Sequence, residues 1–230
     1  MLLKINKIIN ETEDIKTFIF EKQKINFKSG QFLNYKLDVK DPRSSTRSFS
    51  IASSPTENFL MLSTKISQSP FKQMLNLMNV NDEIEAAGPY GIFILDEIKD
   101  VVMLSGGIGI TPLRSMIKYS LDKKLKVKIT LFYSNKIPED ILYRKELETF
   151  AKNRNFTLVN TITEPKESKE SWKGITGRID ENLIKKYVKD FNNKIFYICG
   201  PPKMVDAMVE ILKGMNIPQQ QIKIEHFLGY

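Results

Sequence analysis

Two different patterns of apolar and polar residues divide this chain. Up to residue 97, apolar residues fall in short runs separated by turn-forming stretches such as KSGQ and KDPRSS. This spacing predicts several short strands in an antiparallel barrel or sandwich. The predicted strands are LLKINKII, IKTFIFE, QFLNYKL, RSFSIA, FLMLSTKI and DEIEAA.

One segment of the first half has helical spacing instead. In SPFKQMLNLM, apolar residues recur at intervals of three and four from Phe71 to Met78. Ser69 is a suitable N-cap, and Pro70 suits the first helical position. We therefore expect a single helix here among the strands.

From Val101 onward, apolar strand-like runs alternate with amphipathic helical ones. This alternation predicts a doubly wound parallel sheet with helices on both faces. We expect one domain over residues 1–97 and a second over residues 98–230. The predicted strands are VVMLSG, KVKITLFYS, FTLVNTIT, KIFYICG and QIKIEHF, and the predicted helices are TPLRSMIKYSL, PEDILYRKELETFAKN, DENLIKKYV and PPKMVDAMVEILKGM.

Composition narrows the class of protein. A chain of 230 residues with 41% hydrophobic content can bury one large core or two small ones. The lone cysteine, Cys199, and the lone histidine, His226, argue against disulfides and against a metal site, and we expect none. No apolar run approaches the ~18 residues of a membrane span. We expect a cytoplasmic protein without a membrane partner.

Charge is distributed unevenly along the chain. Residues 1–97 hold 12 Lys and Arg against 12 Asp and Glu, so the net charge of +8 arises entirely from residues 98–230. Such asymmetry suits a negatively charged partner, such as a nucleotide phosphate or an acidic protein. Lysines on an ordinary solvated surface explain the same numbers equally well.

Glycines follow the first strand of the second half. Gly106, Gly107 and Gly109 lie between VVMLS and a predicted helix that has Pro112 just inside it. Missing side chains let backbone N–H groups and a helix N-terminus approach a pyrophosphate. The alternative is a turn that only lets the helix pack closely. A second turn, YICGPP, ends a later strand of the same sheet, so both turns are expected to line one crevice.

The motifs RSFS, GPYGIF, GGIGITP and CGPP occur in the order and approximate spacing found in ferredoxin–NADP reductase-like flavoenzymes, which the chain resembles over nearly its whole length. The resemblance implies a six-stranded Greek-key FAD-binding barrel followed by an NAD(P)-binding α/β domain. It also implies that flavin and nicotinamide meet between the two.

The resemblance assigns roles to the RSFS strand. Arg47 pairs with the flavin pyrophosphate, Phe49 covers the isoalloxazine ring, and Ser50 hydrogen-bonds near N5. These roles suit a guanidinium fork on phosphate and a flat ring on a flat ring. The further flavin-binding residues expected are Ser48, Thr64, Lys65 and Ser69.

At the chain terminus, IEHFLGY resembles the family's Glu-x-aromatic ending. Glu225 is expected to assist proton movement, and Phe227 or Tyr230 to stack on the other flavin face. The nicotinamide side is expected to use the two glycine turns. Its residues are Gly106, Gly107, Gly109, Thr111, Pro112, Cys199, Gly200 and Pro201.

The choice of nicotinamide depends on the end of the strand KVKITLFYS. Ser134 and Asn135 stand where NAD-preferring folds commonly place an acid, and Arg144 follows on the next helix. These groups suit a 2′-phosphate, which favours NADPH. Glu139 and Asp140 keep NADH open, because either could turn back toward the ribose.

The implied reaction is hydride transfer from NAD(P)H to FAD, with FMN the less favoured flavin, followed by electron transfer to a separate acceptor. Ser50, Cys199 and Glu225 are expected to assist it. An acidic ferredoxin or flavodoxin suits the basic second half. The alternatives are an oxygenase reductase component, a free-flavin reductase, a redox-silent binding subunit and a nucleic-acid-binding module, for which no recognition motif is present.

Overall fold

The structure is a computed structural model that describes residues 1–22 and 24–227, and it contains two compact units. The first unit combines residues 1–95 with residues 111–119. The second combines residues 96–110 with the described residues from 120 onward. The predicted domain boundary between residues 97 and 98 stays a prediction.

Six antiparallel strands form the sheet of the first unit. They are β1 (Leu2–Asn10), β2 (Ile15–Glu21), β3 (Phe32–Lys36), β4 (Thr46–Ser50), β5 (Phe59–Lys65) and β6 (Glu83–Tyr90). Their order across the sheet is β4-β3-β6-β1-β2-β5. Just after β4, the Ala52 N–H donates to the Met61 carbonyl in β5 at 2.8 Å, which links the two edges of the sheet. The predicted six-stranded antiparallel architecture is confirmed.

The inward side chains of these strands form the core of the first unit. Helix α1 (Pro70–Leu77) adds Phe71 and Leu75 to it. Ser69 caps this helix by accepting from the Lys72 N–H at 3.4 Å, and Pro70 is the first helical residue. The predicted helix and its start signals are therefore confirmed.

Six parallel strands form the sheet of the second unit. They are β7 (Val101–Gly106), β8 (Ile129–Asn135), β9 (Phe156–Ile162), β10 (Ile175–Thr176), β11 (Ile195–Gly200) and β12 (Ile222–His226), in the order β10-β9-β8-β7-β11-β12. The connecting helices are α2 (Ile110–Asp122), α3 (Arg144–Phe150), α4 (Glu181–Tyr187) and α5 (Pro202–Gly214). The predicted parallel α/β sheet is confirmed. Among the described residues, no helix is long and apolar enough to span a bilayer.

Two local predictions differ from the structure. The helix predicted over residues 138–153 is only α3, because the chain first forms a 3₁₀ turn at Pro138–Asp140 and then takes a positive φ of 59° at Tyr143. Ile141 and Leu142, between these points, are buried in non-helical conformations. The two-residue strand β10 was not predicted, because so short a strand leaves no periodic pattern.

A buried ion pair holds residues 111–119 of α2 within the first unit. The Arg114 guanidinium contacts both carboxylate oxygens of Glu57, with the Nη2–Oε1 distance at 2.9 Å, and donates to the Ala52 carbonyl at 3.2 Å. The side chains of Arg114 and Glu57 are only 4% and 10% exposed. Neighbouring Ser115 donates its hydroxyl to the Ser53 carbonyl at 2.6 Å.

We expect Glu57→Gln to destabilise the first unit by about 3 kcal/mol, because it leaves the buried Arg114 charge without its carboxylate. Urea unfolding measures this effect. Glu85→Gln is the matched control, since its pair with Lys36 is more than half exposed and worth at most ~1 kcal/mol. Equal losses in the two variants would contradict the buried pair's structural role.

Candidate functional site

The RSFS strand carries a guanidinium and two rings close together. The Arg47 guanidinium lies 5.5 Å from the centroid of the Phe71 ring. The half-buried Phe49 ring lies 6.0 Å from Phe71 and meets Tyr35 edge-on at 5.8 Å. Arginine and aromatic surface therefore adjoin at the start of α1, which suits an anionic group attached to a flat heterocycle.

The other residues expected to bind flavin lie on the same strands or next to them. Ser50 is 6% exposed, and its hydroxyl has no hydrogen-bond partner among the described residues. Ser48 is exposed and donates to Asn34 at 2.6 Å. Thr64 is buried at the end of β5, and neighbouring Lys65 forms an ion pair with Asp14. Their roles toward a flavin stay predictions.

Positive charge is concentrated at the start of α1. Burial, together with the charges of Arg43, Lys65 and Arg47, lowers the pKa of Lys72 from 10.5 to about 8. A lysine that its neighbours repel marks a region of positive potential. The residues present therefore fit a pyrophosphate such as that of FAD.

In the second unit, the two glycine turns lie in contact. A Cβ on Gly109 would lie 2.3 Å from the Cys199 carbonyl oxygen and 2.6 Å from the Gly200 Cα, so only glycine fits there. Gly107 has a φ of +52° and open space where a Cβ would be. Helix α2 begins directly after this turn, with Thr111 and Pro112 in its first turn. Pro201, after Gly200, is the N-cap of α5.

A row of polar residues crosses five adjacent strands near their carboxyl ends. Pairing places Glu225, Cys199, Ser105, Tyr133 and Asn160 side by side on β12, β11, β7, β8 and β9. The Tyr133 hydroxyl donates to the Gly107 carbonyl at 2.9 Å. Within the described residues, Ser105 Oγ, Asn160 Oδ1 and Glu225 Oε2 are buried without a hydrogen-bond partner. Unpaired buried polar atoms are rare in proteins and mark a site that accepts a polar ligand or water.

Two members of this row have altered proton affinity. Burial raises the pKa of Glu225 to about 7. Burial, and then the charge of Glu225, raise the pKa of the Cys199 thiol. At neutral pH Cys199 is therefore a thiol, whereas Glu225 is divided between its two protonation states. A group that titrates near neutral pH can hold or release a proton during a reaction.

Of the two aromatic residues predicted to stack on the flavin, only Phe227 belongs to the residues that the structure describes. Phe227 directly follows β12, and its N–H donates to the Gly200 carbonyl at 3.0 Å. It is therefore tied to the CGPP turn. Tyr230 lies outside the described residues.

The residues expected to select the nicotinamide lie at the end of β8 and on α3. Ser134 and Asn135 are the last two residues of β8. Arg144 donates to Glu170 at 2.8 Å and to Glu148 at 3.3 Å, so two carboxylates already share its charge. Glu139 accepts from Ser168 and from the N–H groups of Lys169 and Glu170, which holds it against the loop after β9.

Sequence reasoning missed several neighbours of these sites. Asp41, Arg43 and Lys72 surround Arg47, yet none belongs to a family motif. Ser105 and Asn160 belong to the polar row, and their strands read from sequence only as apolar runs. The one signal in the sequence for this row was that each of these strands carries a polar residue near its carboxyl end.

Two models of known protein families together match most of the chain. The family model described as oxidoreductase FAD-binding domain matches residues 2–94, and the model described as oxidoreductase NAD-binding domain matches residues 103–210. The glycine betaine monooxygenase reductase subunit of Chromohalobacter salexigens is 31% identical over 96% of this chain. The chain spans 62% of that relative's length.

Solved structures share the fold. The FAD/NAD-binding domain of nitric oxide dioxygenase from Vibrio cholerae has a TM-score of 0.84 at 16% identity, over 98% of both chains. A ferredoxin NADP+ reductase from Neisseria gonorrhoeae, solved with bound FAD and NADP, has a TM-score of 0.77 at 22% identity, also over 98% of both chains. The two-unit architecture is therefore shared with these solved structures.

Because burial raises the folded-state pKa of Glu225 from 4.5 to about 7, the wild-type protein loses stability as the pH rises through 7. Glu225→Gln stays neutral at every pH. We expect it to match the wild type near pH 4.5 and to exceed its free energy of unfolding by about 3 kcal/mol at pH 8. Urea unfolding at both pH values measures the difference.

The control for this prediction is Glu210→Gln, whose side chain is 72% exposed. We expect it to show no such growth of stability between pH 4.5 and pH 8. A Glu225→Gln curve parallel to that of the wild type would contradict the raised pKa.

Proposed function

Because this chain belongs to the ferredoxin–NADP reductase-like family of flavoenzymes, we propose that it is a flavoprotein reductase that moves hydride from NAD(P)H to bound FAD and electrons onward to a separate acceptor. The observation that carries the proposal is the contact of Gly109 with Cys199 and Gly200. It joins a phosphate-binding type of turn to the strand ends that present Cys199 and Glu225. The bound flavin supplies the step from two-electron to one-electron chemistry.

The chain's own residues bind, orient and hold protons. On the flavin side, Arg47 and the positive region at the start of α1 hold the pyrophosphate, and Phe49 offers its ring face to the isoalloxazine. Ser50 offers an unused hydroxyl to the flavin ring. These contacts fix the orientation of the ring, on which the rate of hydride transfer depends.

On the nicotinamide side, the first glycine turn and the start of α2 hold the pyrophosphate of the dinucleotide. The unpaired atoms of Ser105 and Asn160 are hydrogen-bonding groups suited to the polar end of the nicotinamide. Glu225 is the group that releases or takes up a proton near pH 7. Cys199, held as a thiol, packs beside it without adding charge.

A second candidate, the reductase component of a multicomponent oxygenase, is favoured by the name of the 31% identical relative, a monooxygenase reductase subunit. It shares the flavin and nicotinamide steps and differs in the acceptor. The acidic ferredoxin or flavodoxin expected from the charge of the second half, and the cytoplasmic location, stay predictions of this proposal.

The purified protein tests the reductase function directly. We expect flavin absorbance that NADPH or NADH bleaches anaerobically, and reoxidation when ferredoxin, flavodoxin or ferricyanide is added. Parallel assays with free flavin and an oxygenase component distinguish the acceptors. Folded protein that stays colourless after reconstitution with FAD would end the proposal and favour a redox-silent binding subunit.

Ser50→Ala should slow flavin reduction about 10-fold or more while the protein keeps its flavin, because the variant loses one hydrogen bond that orients the ring. Stopped-flow absorbance measures the rate, and the ratio of flavin to protein measures retention. Ser45→Ala, in the preceding loop, is the control and should reduce its flavin at the wild-type rate. An unchanged rate in Ser50→Ala would remove Ser50 from the catalytic residues.

Preference for NADPH depends on how strongly Arg144 is neutralised. Glu170→Gln removes one of the two carboxylates that share its charge, so we expect kcat/KM for NADPH relative to NADH to rise several-fold, about the effect of one partly exposed charge pair. Glu167→Gln, exposed on the same loop, is the control. A wild-type kcat/KM for NADH equal to or above that for NADPH would end the preference for NADPH.

A further inference from the structure

We propose that Asp41 is a positioning residue of the flavin-phosphate site, which holds the Arg47 guanidinium and the start of α1 in the arrangement that binds pyrophosphate. The inference rests on the proposed function, because it requires that Arg47 binds the flavin phosphates. Asp41 places a negative side chain in a site whose ligand is itself anionic. Its contacts explain how such a side chain can favour binding of the ligand.

Asp41 joins its own loop to strand β4 and to the start of α1, which lies 30 residues further along the chain. Its Oδ1 accepts from Arg47 Nη2 at 2.5 Å and from the Arg43 N–H at 2.9 Å. Its Oδ2 accepts from the Phe71 N–H at the start of α1, at 3.1 Å. The side chain is only 1% exposed. One buried carboxylate thus fixes the loop before β4, the arginine on β4 and the start of the helix relative to one another.

Arg47 is fixed on one side and available on the other. Its Nη1 donates to the carbonyls of Ser44 at 2.6 Å and Thr46 at 3.0 Å, and its Nη2 donates to Asp41. A guanidinium has five N–H donors, so the one at Nε and the second at Nη2 have no partner among the described residues. Two adjacent N–H groups form the fork that binds a phosphate bidentately. Asp41 therefore orients the guanidinium and leaves these two N–H groups available to a phosphate.

The surrounding charge leaves room for a dianion. Arg43, Arg47, Lys65 and Lys72 interact electrostatically, and burial together with the other three cations lowers the pKa of Lys72. Asp41 and Asp14 supply the opposing carboxylates, Asp14 through its pair with Lys65. Four cations against two carboxylates leave a net charge opposite to that of a pyrophosphate. The positive region thus persists in the presence of Asp41.

The alternative is that Asp41 occupies the phosphate position and must leave when flavin binds. Departure would break hydrogen bonds to both carboxylate oxygens and separate a buried charge from its guanidinium, which is costly. Hydrogen bonds from the Arg43 and Phe71 N–H groups and the charge of Arg47 outweigh burial and lower the pKa of Asp41 to about 2, so protonation near neutral pH does not release it. The two roles predict opposite effects of removing the carboxylate.

The test compares Asp41→Ala and Asp41→Asn with the wild-type protein, using FAD and riboflavin as ligands. Riboflavin carries the same ring system and no phosphate. We expect Asp41→Ala to raise the Kd for FAD about 10-fold or more, as the loss of a charge-assisted hydrogen bond implies. Asp41→Asn should raise it less, because its amide oxygen still accepts from one N–H. The Kd for riboflavin should change less than about 2-fold in both variants, since no phosphate contact is lost.

Asp38 is an exposed acidic residue three positions before Asp41. Asp38→Ala is therefore the control, and it should leave both Kd values unchanged. Flavin fluorescence quenching gives the Kd, and circular dichroism of the apoprotein checks folding. If Asp41→Ala does not fold, Asp41→Asn carries the test alone, because it keeps the shape of the side chain.

Tighter or unchanged FAD binding in the variants would overturn the proposal, and so would equal weakening of FAD and riboflavin, which indicates a structural role only. Wild-type protein that binds riboflavin as tightly as FAD would overturn the phosphate site and leave the flavin function standing. Folded wild-type protein that binds neither ligand would overturn the proposed function and this inference with it.

Discussion

The close approach of Gly109 to the last residues of β11 is the constraint on which the second unit's site depends. Any side chain at that position would push the glycine turn away from the Cys199 carbonyl. With glycine there, helix α2 begins directly beside the CGPP turn. The N–H groups of that helix start, the thiol of Cys199 and the carboxyl of Glu225 then belong to one edge of the sheet. A parallel sheet presents its strand ends at one edge, and the missing Cβ brings two of them together.

Three acidic side chains show how the protein treats charge in and near its interior. Glu57 is paired with Arg114 at both of its oxygens, and Asp41 is bonded to Arg47 and to two backbone N–H groups. Glu225 has one oxygen that is buried and unbonded within the described residues, and its pKa is raised to about 7. Satisfied carboxylates stay ionised and hold structure in place. The unsatisfied one is the group that can exchange a proton near neutral pH.

The two units meet the demands of their nucleotides by different means. The first unit collects cations around the start of one helix, and it stabilises them in part with carboxylates of its own. The second unit uses glycines, a helix start and hydrogen-bonding atoms left without partners among the described residues. A flavin that stays bound suits the first arrangement, since fixed charges hold a pyrophosphate firmly. A dinucleotide that enters and leaves in each cycle suits the second.

The sequence alone predicts the two kinds of sheet, helix α1 with its cap, and the turns that carry the family motifs. Each of these depends on residues close together in the chain: short apolar runs, Ser69 with Pro70, and glycines after a strand. It did not determine the break before α3, where Tyr143 takes a left-handed conformation while the preceding residues are buried. The tertiary structure was needed to bring Asp41 to Phe71, to align Ser105 with Asn160, and to pair Arg144 with Glu170. Contacts between distant residues depend on strand order, register and packing, which leave no local pattern in the chain.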